Sequence, residues 1–151
     1  MSSNLFDMTN KVALITGSSK GIGRAIAEEM VRQGAKVVIS SRKADVCQEV
    51  ADAINAEAKA SGNQTGEAIV IPAHVGQREA LQHLVGETRA LLGQIDVLVC
   101  NAAVNPFYGS MQELPDDAMD KILDINIKSN HWLVNMAVSY THLTLPTTTI
   151  V

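Results

Sequence analysis

Clusters of basic residues and long apolar segments are both missing from this chain of 151 residues. Its 12 Lys and Arg residues are scattered, and 16 Asp and Glu residues bring the net charge to −4. This charge pattern argues against nucleic acid and anionic membranes as partners, because both bind clustered cations. No apolar run approaches the roughly 20 residues that a membrane span needs.

Cysteine is also scarce, and residues 1–10 lack the basic and apolar regions of a signal peptide. Neither Cys47 nor Cys100 has a His or Cys neighbour at metal-ligand spacing. We therefore expect two small, buried thiols rather than a disulfide or a metal site. The sequence predicts a cytoplasmic protein without a bound metal.

What the chain does contain is a regular alternation of short apolar runs and amphipathic segments. The apolar runs predict strands at 12–15, 37–39, 68–71 and 95–100. Helical spacing predicts helices that end before Gly34, cover 44–60 and 78–92, and begin again near Asp116. This order predicts an α/β fold, a Rossmann-type doubly wound parallel sheet in the order 3-2-1-4, interrupted after the helix that follows strand 4. Residues 1–137 form this incomplete domain, and its fourth strand is expected at an edge of the sheet.

A glycine-rich turn joins the first strand to the first helix. Its sequence is Thr-Gly-x-x-x-Gly-Ile-Gly, from Thr16 to Gly23. Glycines allow main-chain N–H groups to approach a phosphate closely, and a helix N-terminus adds free donors and a positive dipole end. Ordinary turn chemistry is the alternative interpretation. The residues predicted to hold a cofactor here are Gly17, Ser19, Lys20, Gly21, Ile22 and Gly23.

The end of the second strand indicates which dinucleotide fits. An NAD site usually places a carboxylate about 20 residues past the glycines, where it contacts the ribose 2′-hydroxyl. Here Ser41 and Arg42 occupy that place, and Asp45 is the first acid beyond them. Together with Lys20, Arg42 would favour a 2′-phosphate, so NADP(H) is preferred and NAD(H) remains possible. The alternative is a solvated helix start.

Three motifs resemble the short-chain dehydrogenase/reductase family. They are the glycine turn, the run Asp96–Ala103, which is similar to Asp-x-Leu-Val-x-Asn-Ala-Gly with Ala103 in place of the glycine, and the segment Asp124–Ser129. The resemblance covers 11–137. It implies that Asn101, Ala102 and Ala103 line the adenosine side of the cofactor. It also implies that Asn126 is a catalytic residue that holds an ordered water in a proton relay.

One position departs from the family pattern. The family usually has an acidic residue that contacts adenine at the end of strand 3, but this chain has His74 followed by Val75. His74 is expected either to stack on or hydrogen-bond to the adenine or to cap the strand end. The run from Asn101 to Gly109 resembles carbonyl reductases of the dehydrogenase/reductase member 4 type.

The resemblance implies hydride transfer between NAD(P)H and a small carbonyl or alcohol, in full-length relatives that form homo-oligomers. The family uses a serine, a tyrosine and a lysine four residues after the tyrosine. Tyr108 is followed at that spacing by Gln112 and Tyr140 by Thr144, while Lys128 is the last lysine. We therefore expect an inactive cofactor-binding part. The alternatives are a non-catalytic dinucleotide-binding module, a half-enzyme completed by a second chain, and a reductase of 3-oxoacyl thioesters.

The end of the sequence does not follow the family pattern. Five of the last eleven residues are Thr, and Pro146 interrupts any helix. The run 138–147 resembles the translated read-through of a sequencing adapter, so 138–151 is interpreted as a non-native tail. A genuine divergent C-terminus is the alternative.

Overall fold

Four parallel strands form one sheet in the order β3-β2-β1-β4, as the sequence predicts. The computed structural model describes the backbone of residues 5–141 and the side chains of residues 5–138. The strands are β1 (Val12–Thr16), β2 (Lys36–Ser40), β3 (Glu67–Val70) and β4 (Val97–Val99). Leu14 of β1 pairs with Val38 of β2 and Leu98 of β4, so β1 lies at the centre and β4 at an edge.

Helices cover both faces of this sheet because alternate residues of each strand face opposite ways. The helices that follow the first three strands are α1 (Gly21–Arg32), α2 (Ala44–Ala60) and α3 (Arg78–Leu92). Ala13 and Ile15 pack with the apolar faces of α1 and α2, whereas Leu14 packs with that of α3. The carboxyl ends of all four strands therefore meet at one edge of a doubly covered sheet, where such folds bind ligands.

The fourth strand is shorter than the predicted 95–100. Ile95 is buried but precedes the strand, and the Asp96 carboxylate accepts a hydrogen bond from the Val12 N–H at 2.8 Å. After Val99, the Asn101 N–H donates to the Val99 carbonyl and turns the chain away. A side-chain carboxylate at the start of the run and a main-chain turn at its end thus replace ladder hydrogen bonds that periodicity alone would assign to a longer strand.

The helix predicted from Asp116 is divided by a wider, π-helical turn. It consists of α4 (Asp116–Leu123), the π-turn (Asp124–Lys128) and α5 (Ser129–Thr141). The Ser129 N–H bonds to the Asp124 carbonyl, five residues back instead of four. Two side chains donate to carbonyls of this turn: Ser129 Oγ bonds to Ile125 O at 2.5 Å, and Asn130 Nδ2 bonds to Asn126 O at 2.8 Å.

The π-turn also changes which apolar residues face the core. Ile125 and Leu133 are buried, but Met119, Leu123 and Ile127 expose 38%, 39% and 60% of their surface. The apolar residues of this segment therefore lie partly in the core and partly at the surface. The extra residue in the turn rotates α4 relative to α5.

Helix α5 continues to Thr141, beyond the predicted domain end at residue 137. The rest of the predicted tail, 142–151, lies outside the described residues, and its interpretation stays a prediction. No described helix is long and apolar enough to cross a membrane.

Candidate functional site

The turn between β1 and α1 has a backbone path that requires glycine at two positions. Gly17 and Gly21 have φ values of 67° and 57°, in the region that side chains disfavour. A Cβ atom on Gly17 would also lie 2.9 Å from the Cα atom of Ala102. The first glycine therefore lets the turn pass directly over the chain that leaves β4.

The third glycine allows α1 to begin close against this turn. A Cβ atom on Gly23 would lie 2.6 Å from the Gly17 carbonyl oxygen and 2.5 Å from the Asn101 amide nitrogen. These separations are far below van der Waals contact. Gly23 thus fixes the distance between the helix N-terminus and the turn, which is the packing role of the last glycine in dinucleotide-binding turns.

A buried serine ties the turn to β2. Ser18 Oγ donates to the Ile15 carbonyl at 2.7 Å and accepts the Ser40 N–H at 2.9 Å, while the Ser18 N–H donates to the Ser40 carbonyl at 3.2 Å. Ser18 was not among the residues predicted for the site. Its signal was a small hydroxyl directly after a buried strand, which can satisfy local backbone groups.

Asn101 ties the same turn to β4. Its Nδ2 donates to the carbonyls of Thr16 and Gly17 at 3.1 and 3.0 Å. Thr16 Oγ1 accepts the N–H groups of Asn101 and Ala102, each at 3.2 Å. Asn101 and Ala102 thus lie at the predicted edge of the site. The polar contacts described for them are with Thr16 and Gly17, so they hold the glycine turn in place. Ala103 is exposed beside them.

The N-terminus of α1 presents main-chain donors without a capping side chain. Lys20 is the extended residue before the helix, it makes no side-chain cap, and no acid lies in the first turn. Lys20, Gly21 and Ile22 are exposed and Ser19 is half-buried. Uncapped N–H groups and the positive end of the helix dipole favour an anion here.

The end of β2 brings a cationic side chain to this edge. Arg42 is exposed and takes no part in the ion pairs found among residues 5–138, and the same holds for Lys20. Ser41 is half-buried, and its Oγ lies 3.0 Å from the Sγ of Cys47. Arg42 rather than Ser41 therefore offers an uncommitted polar side chain at this position.

The end of β3 lies directly beside that of β2. The Ala73 N–H donates to the Ser41 carbonyl at 3.0 Å, so the segments that follow β2 and β3, which contain Arg42 and His74, run side by side at the sheet edge. His74 Nδ1 accepts the Gly76 N–H at 3.1 Å, so the ring caps the strand end. Val75 is half-buried against the core. Capping, one of the two roles expected of His74, is thus present, and Nε2 is left for another partner.

Asn126 lies in the π-turn and holds the loop that follows β4. Its Oδ1 accepts the Val104 N–H at 2.8 Å, and its Nδ2 donates to the Val104 carbonyl at 2.9 Å. Both side-chain polar atoms are therefore used on one main-chain residue. The catalytic role expected for Asn126 stays a prediction, whereas its positioning of the loop is visible.

One buried polar atom at the site lacks a partner. Ser40 Oγ, at the carboxyl end of β2, is the side-chain atom of the described residues that is buried without a hydrogen bond. The cradle left by Gly17 and Gly23, the uncapped helix and this orphaned hydroxyl together fit a phosphate-bearing dinucleotide better than a plain structural turn.

Other features lie away from the glycine turn. A groove of about 390 Å³ between α3 and α5 is lined by Arg78, Arg89 and Trp132, among others, and by no residue of the turn.

Cys47 and Cys100 are both free thiols, and partial burial raises the pKa of the Cys100 thiol above its usual value. No group of three or more potential metal ligands occurs among the described residues.

Comparison with known proteins identifies the fold's family. The model of the short-chain dehydrogenase family matches residues 11–144. The chain belongs to the short-chain dehydrogenase/reductase family. It is 41% identical over 131 residues to dehydrogenase/reductase SDR family member 4 from Bos taurus, which covers 87% of this chain and 44% of that protein. For the Homo sapiens protein of the same name, identity is 43% over 122 residues, covering 81% and 41%.

Solved structures of the family agree with this fold. A short-chain type dehydrogenase/reductase from Mycobacterium marinum superposes with a TM-score of 0.79 at 32% identity, covering 90% of this chain and 52% of that one. The NADP active-site complex of RhlG from Pseudomonas aeruginosa gives 0.79 at 26% identity, covering 90% and 50%. This chain therefore has the fold of those two structures. It spans less than half the length of the two curated relatives compared above.

Proposed function

We propose that this chain is the NADP(H)-binding part of a short-chain oxidoreductase that interconverts a carbonyl and an alcohol. The observation that carries the proposal is the glycine turn, in which Gly17 and Gly23 leave no room for a Cβ atom while the N-terminus of α1 stays uncapped. Such a turn holds a pyrophosphate on main-chain N–H groups.

The choice of NADP(H) over NAD(H) rests on charge at the end of β2. Arg42 at the end of β2 and Lys20 before α1 are exposed and are not engaged in the described ion pairs, and no carboxylate follows β2 where a ribose 2′-hydroxyl would need one. A guanidinium can bind a 2′-phosphate with two parallel hydrogen bonds. The RhlG structure compared above is a complex with NADP, which supports the same choice.

The chain's own residues bind and orient rather than react. The turn and α1 would hold the phosphates, Arg42 the 2′-phosphate and His74 with Val75 the base, while Asn126 fixes the loop after β4 through Val104. When bound, the nicotinamide supplies hydride transfer.

No tyrosine of the chain is followed by lysine at a spacing of four. The proton that must accompany the hydride therefore has no donor of the family's type, and we expect no carbonyl reduction by the chain alone. A cytoplasmic location, a small carbonyl or alcohol substrate and homo-oligomerisation remain predictions for the whole protein.

The test is direct binding of NADPH and NADH, followed by fluorescence, to the chain and to the Arg42→Asp variant. Loss of a charge-assisted contact and repulsion by the new carboxylate should weaken NADPH binding by tenfold or more and leave NADH binding equal or tighter. Lys36→Asp, an exposed cation at the opposite end of β2, is the matched control and should change neither affinity.

Three results would contradict parts of this proposal. Equal loss of NADPH affinity in Lys36→Asp would mean that net charge, not a 2′-phosphate site, is being measured. An unchanged cofactor preference in Arg42→Asp would remove the argument for NADP(H). Steady NADPH-dependent reduction of carbonyl compounds by the purified chain would overturn the expected inactivity.

A further inference from the structure

The hydrogen bond that orients the His74 ring also determines which ring nitrogen carries the proton. Its Nδ1 accepts the Gly76 N–H at 3.1 Å. The ring lies directly against Gly76, since a Cβ atom there would be 3.1 Å from Cε1 and 3.2 Å from Nδ1. A neutral imidazole that accepts at one nitrogen carries its proton on the other. Nε2 of His74 is therefore a donor and cannot accept a hydrogen bond.

The position of His74 makes this donor relevant to the base of the cofactor. The Ala73 N–H pairs with the Ser41 carbonyl, so His74 follows β3 at the same edge of the sheet at which Arg42 follows β2. If the pyrophosphate lies at the glycine turn and the 2′-phosphate at Arg42, the adenine is directed to the end of β3. This step rests on the proposed function.

We propose that His74 makes the base site a hydrogen-bond donor that does not recognise the 6-amino group of adenine. The 6-amino group is itself a donor, so it cannot pair with Nε2–H. The only acceptors that adenine offers to this donor are its ring nitrogens. Hypoxanthine carries an oxo group, an acceptor, at the same place. The site should therefore tolerate the hypoxanthine analogue of NADP.

A carboxylate at position 74 should reverse this preference. In the His74→Asp variant the side chain accepts hydrogen bonds only, so it pairs with the 6-amino group and repels the 6-oxo group. Aspartate can also accept the Gly76 N–H, so the strand end keeps its cap. In His74→Asn, Oδ1 can accept the Gly76 N–H while Nδ2 stays a donor, which makes this variant the matched control.

The experiment compares the Kd of NADP⁺ with that of nicotinamide hypoxanthine dinucleotide phosphate for the three proteins at about pH 8, by calorimetry. We expect the ratio of the two Kd values to shift by at least tenfold towards NADP⁺ in His74→Asp and by less than about threefold in His74→Asn. Circular dichroism checks that all three are folded.

The outcomes separate this inference from the proposed function. If neither dinucleotide binds the original chain, the proposed function fails and this inference fails with it. If NADP⁺ binds but His74→Asp leaves the ratio unchanged, only the inference is overturned. The tautomer has its own readout: ¹⁵N chemical shifts, with the His74 signals assigned from the His74→Asn spectrum, should show the proton on Nε2. A proton on Nδ1 would overturn the inference independently of binding.

Discussion

Replacement of Gly23 by alanine tests whether the close approach of α1 to the glycine turn is built into the fold. Gly23 and Gly86 are both helical glycines, but their surroundings differ. A Cβ atom on Gly23 would lie 2.6 Å from a main-chain oxygen and 2.5 Å from the Asn101 amide, whereas one on Gly86 would meet nothing within 4 Å. Comparison of Gly23→Ala with Gly86→Ala therefore distinguishes the effect of helix propensity on stability from the effect of close packing.

The expected magnitudes have opposite signs. Alanine stabilises an exposed helix interior by about 1 kcal/mol relative to glycine, so Gly86→Ala should raise the free energy of unfolding by up to that amount. Overpacking costs about 1–3 kcal/mol, and at Gly23 part of the obstruction is the backbone of Gly17 and Ser18, which cannot rotate away. After the gain in helix propensity is subtracted, Gly23→Ala should therefore lower the free energy of unfolding by up to about 2 kcal/mol.

Urea denaturation followed by circular dichroism measures both variants against the original chain. For a domain of about 150 residues, each kcal/mol corresponds to about 2–4 °C in Tm, which thermal unfolding resolves. Binding of NADPH should weaken in Gly23→Ala and stay unchanged in Gly86→Ala, because only the former moves the N-terminus of α1. Equal stabilisation by both alanines would refute the argument from close approach.

Two further predictions concern the carboxyl end of β4. Asn101→Ala removes two hydrogen bonds to the carbonyls of Thr16 and Gly17, and should lower the free energy of unfolding by about 1–3 kcal/mol in urea denaturation; an unchanged midpoint would show that water replaces the amide without cost. Burial in the fold raises the pKa of the Cys100 thiol, so the thiol ionises first in the unfolded chain and the free energy of unfolding should fall as pH rises above about 9. This fall should be smaller in Cys100→Ala. Equal pH dependence of the two proteins would exclude Cys100 as its source.

The sheet could be predicted because its signals are local and repeated. Each strand is a short run of apolar residues, each helix has a spaced apolar face, and the alternation of the two leaves one common topology. The bounds of α2 and α3 agree with their predicted ranges, because Gly62 and Gly93 stop the chain near their ends. The ends of β4 could not be predicted, since Asp96 forms its bond with Val12, 84 residues away.

Some features of the candidate site can be predicted from residue type and local spacing. Others cannot, because they depend on contacts between residues that are far apart in the chain. The glycines, Arg42 and His74 stand out in the sequence because residue type and spacing carry their meaning. The amide of Asn101 was expected to line the cofactor, but in the structure it bonds to Thr16 and Gly17. Only the packing of β1 against β4 shows that partner.

The π-turn cannot be predicted from the sequence, yet it contacts a loop of the candidate site. Residues 116–137 keep helical periodicity throughout, so nothing marks 124–128 as a wider turn. Yet Asn126 lies in that turn and holds Val104 through two hydrogen bonds, and Val104 belongs to the loop that Asn101 anchors to the glycine turn. A π-turn persists only where other contacts offset its poorer backbone bonding, here the side chains of Ser129 and Asn130. Hydrogen bonds thus join the π-turn to the loop after β4 and this loop to the glycine turn, so a change at Asn126 should alter the geometry of a site whose glycines it does not contact.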